Sequence, residues 1–261
     1  MGFEKSVRDI LTKGSILAKG DRVTLMFSAT FPKEIQKLAQ DFLNNYLFLA
    51  VGIVGGANSD VQQSFYKCTK FEKRDKVVEI LNEIGQEKVM IFIEHKKQAD
   101  VMGFYLLQKG YPTTTLHGDR LQSQRELALK DFKSGKSNII VCTSVAARGL
   151  DIEKVNHVIN VDLPQSVDEY VHRIGRTGRC GNIGKAISFF DPGSENDVKL
   201  ARPLARILVE SSQPVPDWLS ALAEDSVGTT FASSECTDDL RFGIEKISIK
   251  APKVAEEEEW W

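Results

Sequence analysis

The chain has 261 residues, of which 42% are hydrophobic and 27% charged, a composition typical of a globular protein that can build a sizeable core. A formal net charge of -2 excludes a basic surface over the whole chain, so any affinity for phosphate must come from a local patch. Four scattered cysteines favour reduced thiols over a disulfide framework or a zinc site, and the sequence has neither an apolar run long enough for a bilayer nor a secretory signal.

The first 51 residues predict a strand, a turn and a helix. Arg22–Phe27 is a short apolar run, and Pro32 suits the start of a helix because it has no N–H to leave unpaired. Lys33–Tyr46 carries apolar residues three and four apart, which indicates one buried helical face. The stretch 52–60 is rich in glycine and small polar residues, so we predict a linker and a domain boundary there.

Beyond the linker, extended and helical patterns alternate. The predicted strands are Val61–Cys68, Lys88–Ile93, Thr113–His117, Ile139–Thr143, Val155–Val161 and Lys185–Phe190. The predicted helices are Glu72–Ile84, Lys97–Lys109, Gln122–Phe132, Val167–Ile174 and Asn196–Val209. This alternation predicts an α/β fold, a doubly wound parallel sheet over residues 61–210, because parallel strands need crossover connections. Residues 211–261 would form a C-terminal extension whose acidic end we expect to be disordered.

Polar side chains cluster at four places along this pattern. The clusters are Ser28–Thr30, His117–Arg125, Thr143–Asp151 and Tyr170–Arg179. Ligands of doubly wound sheets bind at the carboxyl ends of the strands, so we predict that all four clusters share one rim that contacts phosphates and ribose hydroxyls. The last cluster is the most suggestive, because the guanidinium forks of Arg176 and Arg179 stand beside glycines that permit a sharp turn. A basic, solvated turn is the alternative for it.

A different chemistry is suggested by Cys142 and Arg148, which have the C-x5-R spacing of cysteine-dependent phosphatases. Such a nucleophile needs a thiolate in a glycine-rich loop. Cys142 instead ends an apolar strand, where burial should raise the pKa of its thiol, and the following loop lacks glycines. The sequence therefore argues against this alternative.

Taken in order, the motifs resemble the signature set of the DEAD-box RNA helicases. The resemblance is carried by Ser28-Ala-Thr30, Gln122-x-x-Arg125, Ala147-Arg-Gly-Leu-Asp151 and His172-Arg-Ile-Gly-Arg-Thr-Gly-Arg179. It covers about residues 1–209, and the linker and the acidic tail ending in two tryptophans resemble those of the germline member of the family. The resemblance implies two RecA-like domains that close over ATP and RNA, with residues 1–51 as the trailing part of the first.

The resemblance also implies a role for each matched residue. Arg176 and Arg179 correspond to arginine fingers that reach the γ phosphate, and Asp151 to a contact with the nucleotide ribose; a salt bridge with Arg148 is the alternative for Asp151. The positions that correspond to RNA phosphate contacts are Gly118, Arg125 and Thr143. Those that correspond to coupling between the domains are Ser28, Thr30, Arg148 and His172, although a capped helix start is the alternative for the first two.

The resemblance further implies cofactors and partners. The sequence has no Walker A loop and no Asp-Glu-Ala-Asp motif, so ATP with Mg²⁺ would be held by an N-terminal RecA-like domain. We therefore expect part of an ATP-dependent RNA helicase that is inactive in isolation. The implied partners are single-stranded or short duplex RNA without sequence preference, ATP, the N-terminal domain and germ-granule proteins with a LOTUS domain, in the cytoplasm and perinuclear granules and not at a membrane. The alternative is a non-catalytic platform that binds RNA or protein.

Overall fold

The structure is a computed structural model that describes residues 4–51, 53–147, 152, 155–178 and 181–225. The described residues fall into two compact units, 4–51 and 53–225, which are treated separately. No helix among them is both long enough and apolar enough to cross a membrane.

The first unit contains two helices, α1 (Glu4–Lys13) and α2 (Lys33–Phe42). Arg8 of α1 donates to the Asp41 carboxylate of α2 over 2.5 Å. The predicted strand at 22–27 is wrong for this structure, since no strand occurs within residues 4–51. A strand needs a neighbour to pair its backbone groups, and the described part of this unit offers none.

The second unit is built on a six-stranded sheet flanked by helices. The strands are β1 (Val61–Lys67), β2 (Val89–Phe92), β3 (Thr113–Leu116), β4 (Ile139–Cys142), β5 (His157–Asn160) and β6 (Gly184–Phe190). The helices are α3 (Lys73–Ile84), α4 (Lys96–Gln108), α5 (Gln122–Ser134), α6 (Ser144–Ala147), α7 (Val167–Ile174), α8 (Glu195–Glu210) and α9 (Asp217–Asp225). All strand pairings are parallel in the order β1-β6-β5-β2-β4-β3. This confirms the predicted doubly wound, RecA-like α/β fold.

Alternate residues of the central strand β2 belong to two different hydrophobic clusters, one on each face of the sheet. Ile91 packs with α3 and α4 on one face of the sheet, whereas Met90 packs with α5 on the other. A third cluster joins α7 and α8 to β1 and β6. Since both faces are covered, the central strands read as continuous apolar runs, as parallel strands do.

Two segments beside the sheet bear on the predicted domain limits. Asn58, within the predicted linker, donates from its side-chain amide to the Gly178 carbonyl oxygen over 3.0 Å. At the other end, Leu219 of α9 is fully buried with the cluster that holds α8. Both segments are therefore packed parts of the second unit where the structure describes them. The predicted acidic tail lies outside the described residues.

Candidate functional site

The loops after β3 and β4 meet at the carboxyl edge of the sheet. These strands are neighbours, with Leu116 opposite Cys142 at their ends. The Thr143 amide donates to the Leu116 carbonyl oxygen over 3.3 Å, which brings the start of the β4 loop against the end of β3. The predicted site residues Gly118 and Thr143 consequently lie at the same edge of two adjacent strands.

Arg125 lies one turn into α5, directly after the β3 loop. Its Nη1 donates to the Gln122 side-chain oxygen over 3.1 Å, while its Nε is buried and has no hydrogen-bond partner among the described atoms. A buried donor without an acceptor costs free energy, so such groups call for an explanation. An anion at this position would provide the acceptor.

A polar network centred on Asp100 holds the loop after β3. Asp100 of α4 accepts hydrogen bonds from His117 and Arg120. Burial alone would raise the pKa of the Asp100 carboxyl, but these two hydrogen bonds outweigh burial and the pKa is lowered. Asp100 therefore stays ionised beside the loop at neutral pH.

The arginine turn has its backbone at the opposite, amino edge of the sheet. The Thr177 hydroxyl donates to the carbonyl oxygens of Val155 and Asn156, at 2.7 and 2.9 Å, just before β5 begins. Gly178 has φ +66°, and a Cβ there would come within 2.5 Å of Val61 at the start of β1. The turn is thus fixed beside the first residues of two strands.

The backbone of the arginine turn therefore lies at the amino edge, but side chains of the same cluster act at the other edge: Arg173 donates to Ser144 after β4, and the charge of Arg176 acts on Cys142 at the end of β4. One rim for all four polar clusters thus stays a prediction. Helix α7 begins after the carboxyl end of β5 and has eight residues, about 12 Å at 1.5 Å per residue, enough to return the chain to the amino edge. Its N-terminus is capped by the Ser166 hydroxyl, which accepts from the Glu169 amide. A rule for residues that follow strands does not extend to residues that follow the next helix.

Ser28 and Thr30 belong to the first unit and follow no strand there. The Ser28 hydroxyl donates to the Thr30 carbonyl oxygen over 2.5 Å, and Thr30 is buried. Pro32 occupies the N-cap of α2, with no side-chain cap. Both the coupling role and the capped helix start therefore stay predictions for Ser28 and Thr30.

The remaining predicted residues divide between described and undescribed positions. His172 lies on α7 and Arg176 in the turn after it, and both are partly exposed. Arg148, Asp151 and Arg179 lie outside the described residues.

Cys142 does not form a phosphatase nucleophile. It is fully buried at the end of β4, and burial raises the pKa of its thiol to about 12, although the charges of Arg173 and Arg176 act in the opposite direction. A thiol with such a pKa is not a thiolate at neutral pH. The structure thus confirms the expectation drawn from the apolar strand.

Sequence reasoning assigned no role to Arg173, which the structure shows to be a central contact. Its guanidinium is 4% exposed and donates to the Ser144 hydroxyl over 2.7 Å and to the Asp162 carbonyl oxygen over 2.6 Å. It also pairs with Glu169 and lies over the Phe92 ring. Arg173 therefore ties the helix of the arginine turn to the loop after β4. Its place inside the His172–Arg179 motif was the only sequence signal.

A cavity of about 290 Å³ lies at the carboxyl ends of β2 and β5. Its walls carry both signs of charge, and Lys73 is paired with Asp162 over 3.0 Å. No motif indicated this cavity, because its walls come from segments far apart in the chain. Its mixed charges favour neither an anion nor a cation.

Comparison with known proteins decides the family. The profile of the helicase conserved C-terminal domain matches residues 72–181. A solved structure of the C-terminal domain of the DEAD-box protein Dbp5 is 32% identical, with 66% of this chain and 99% of that chain covered and a TM-score of 0.53. The chain belongs to the DEAD-box protein family. The DEAD-box resemblance drawn from the motifs is thereby confirmed.

Two further DEAD-box relatives are informative. The ATP-dependent RNA helicase vasa of Drosophila melanogaster is 49% identical over all of this chain and 38% of its own length. Dbp5 of S. cerevisiae bound to RNA and ADP BeF3 is 30% identical, with 76% of this chain and 54% of that chain covered and a TM-score of 0.59. The chain spans less than two fifths of the length of the curated relatives it matches.

Proposed function

We propose that this chain supplies the C-terminal RecA-like domain of a vasa-like, ATP-dependent RNA helicase that separates short duplexes locally. In this proposal the carboxyl edge of the sheet holds the RNA backbone, and the arginine turn completes a nucleotide pocket on an N-terminal RecA-like domain. The observation that carries the proposal is the buried, unpartnered Nε of Arg125, in the helix that follows the Gly118 loop, in a chain whose relatives are named RNA helicases.

The RNA side depends on groups that recognise phosphate rather than bases. The Arg125 guanidinium has donors to spare, the Gly118 residue is exposed, and Thr143 contributes a hydroxyl at the neighbouring strand. Contacts of this kind position a strand without reading its sequence. Single-stranded or short duplex RNA of any sequence is therefore the proposed substrate.

The nucleotide side depends on Arg176 and Arg179, with Asp151 against the ribose. ATP with Mg²⁺ would be held by the N-terminal domain, because this sequence contains no phosphate-binding loop. When the domains close, guanidinium groups that reach the γ phosphate would stabilise the charge that develops as its bond breaks. The chain alone should therefore hydrolyse no ATP.

Coupling between the two sides has a physical route within the second unit. Arg173 joins α7, which leads to the arginine turn, to Ser144, the residue after Thr143. A displacement of the segment after β4 can thus be transmitted to the arginine turn through the buried guanidinium of Arg173. We propose that Ser28, Thr30, Arg148 and His172 extend this coupling to the N-terminal domain.

The first unit supports the proposed N-terminal partner. Two stretches outside the helices, 23–27 and 47–51, expose alternate apolar side chains at 74% to 91% of their area: Val23, Leu25, Phe27, Leu47, Leu49 and Val51. A period of two is the pattern of strands that bury one face. We propose that these stretches complete a sheet with the rest of an N-terminal RecA-like domain.

The test of the proposal is complementation in trans. The chain is mixed with a separately produced N-terminal RecA-like domain of the vasa relative, and ATP hydrolysis is measured with saturating RNA. We expect no activity from either part alone and RNA-stimulated activity from the mixture. A silent mixture, under conditions in which the intact relative is active, would refute the catalytic proposal.

The second candidate function is a non-catalytic platform for RNA or protein. It is favoured by the apolar side chains that α4 exposes, Val101, Phe104 and Leu107, which suit a protein partner such as a germ-granule LOTUS domain. Binding of such a partner should survive Arg176→Ala. A cytoplasmic location, including perinuclear germ granules, belongs to this proposal and to the catalytic one alike.

A further inference from the structure

Helix α4 holds the loop after β3 at two points. Lys96 pairs with Asp119 over 2.7 Å, and one turn further along the helix Asp100 receives His117 Nε2 at 2.9 Å and Arg120 Nη2 at 2.7 Å. The loop lies between β3 and α5, and these contacts hold three of its residues, His117, Asp119 and Arg120. An exposed ion pair alone is worth little, but the Asp100 contacts include a buried partner.

Asp100 is the centre of a connected network. His117 is 3% exposed, and its Nε2 lies 2.9 Å from the Asp100 carboxylate and 3.3 Å from Arg120 Nε, so it contacts both other members of the network. Arg120 also donates to the Thr115 hydroxyl over 2.8 Å, so its guanidinium is used within the network. Arg120 therefore holds the loop in place, whereas the Nε of Arg125 has no hydrogen-bond partner among the described atoms.

The packing of α4 against β3 allows this network to form. A Cβ on Gly103 would lie 2.3 Å from the Thr115 methyl carbon, so only glycine permits the observed approach of the helix to the strand. This close approach brings Asp100, one turn earlier, within reach of Thr115 and His117. The distance between helix and strand thus determines whether the carboxylate can hold the loop.

We infer that Asp100 is a positioning residue that sets the Gly118 amide and the start of α5 in the geometry that binds RNA phosphate. The inference rests on the proposed RNA site. According to this inference, an acidic residue strengthens the binding of a polyanion. Simple electrostatics predicts the opposite, because removing a negative charge near RNA should strengthen binding.

This difference in sign provides the test. Asp100→Asn and the matched control Asp131→Asn, at the far end of α5, remove the same charge. Affinity for a fluorescein-labelled oligouridine is measured by fluorescence anisotropy with the full 261-residue chain, and amide hydrogen exchange is measured at Gly118 and Arg120. We expect Asp100→Asn to weaken binding about fivefold, roughly the loss of one hydrogen bond at 1.4 kcal/mol per tenfold, with faster exchange at both amides and no weakening in Asp131→Asn.

Two further variants keep the result interpretable. Thr115→Val changes no charge and removes the hydroxyl that accepts from Arg120 and donates to Asp100, so it should weaken binding about twofold even if Asp100→Asn fails to fold. Arg125→Ala tests the RNA site itself. If Arg125→Ala weakens binding while Asp100→Asn and Thr115→Val do not, the positioning role is refuted and the RNA site stands. If Arg125→Ala has no effect either, the proposed RNA site fails and the inference fails with it.

Discussion

The Thr177 hydroxyl lies 2.7 Å from the Val155 carbonyl oxygen, and this contact fixes the arginine turn at the amino edge of the sheet. Thr143 and Gly118 follow strands at the other edge. The backbone segments assigned to the two proposed functions, nucleotide completion and RNA binding, therefore lie at opposite edges of the same sheet, beside different strands. Arg173, buried between them, is the side chain that connects their supporting loops.

The turn should be intolerant of any side chain at Gly178. Gly178→Ala would combine a left-handed backbone with a Cβ only 2.5 Å from Val61. We expect the free energy of unfolding to fall by about 3 kcal/mol, the upper end of backbone strain with steric overlap added. Gly135→Ala is the matched control, since Gly135 is also left-handed but a Cβ there meets nothing within 4 Å, and it should lose only about 1 kcal/mol. Equal losses in urea unfolding would show that the close approach to β1 is unimportant.

Arg125 should contribute one phosphate contact to RNA binding. Arg125→Ala is expected to weaken binding to an oligouridine and to lower the slope of log affinity against log salt by about one. Arg202→Ala removes an exposed arginine from α8 and serves as the control for total charge. The prediction fails if the two variants change the salt slope by the same amount.

Acid should destabilise the second unit through His157 at the start of β5. His157 is 3% exposed, and burial lowers its pKa below the ordinary 6.5, although Glu87, 2.5 Å from its Nε2, partly restores it. The unfolded chain takes up a proton near pH 6.5 that the folded chain resists, so the free energy of unfolding should fall as the pH drops below that value.

The measurement is urea unfolding across this pH range in the chain and in His157→Gln, which does not titrate. The variant should lose less stability on acidification than the unsubstituted chain. His95→Gln, at an exposed position, is the control for the loss of an imidazole elsewhere in the same unit. A pH dependence that is identical in all three proteins would exclude His157 as its source.

The sequence predicted the regular part of the fold well because periodic apolar residues encode it locally. All six strands and the helices α3, α4, α5, α7 and α8 lie within a few residues of their predicted positions, whereas the four-residue helix α6 was not predicted. The error at Arg22–Phe27 has a physical cause: apolar alternation records which face a strand would bury, but strand formation also needs a neighbour.

The candidate site was harder to predict because its geometry depends on contacts between distant residues. The position of Gly118 and Thr143 at the same edge of the sheet follows from strand order, which the β-α pattern constrains. The amino-edge position of the arginine turn depends on the length of α7, and the roles of Arg173 and Asp100 depend on partners from other elements. No spacing within the motif indicates that Arg173 reaches Ser144, 29 residues away.

The central claim is that the arginine turn completes a nucleotide pocket on another domain. The most direct measurement is the turnover rate of ATP in the mixture of this chain with the N-terminal domain, at saturating RNA, for Arg176→Lys beside Arg202→Ala. Lysine keeps the charge but lacks the planar fork, so the rate should fall by about 10³-fold, the lower end for a lost arginine finger, with RNA affinity unchanged. Arg202→Ala should retain the full rate. Full turnover in Arg176→Lys would contradict the claim.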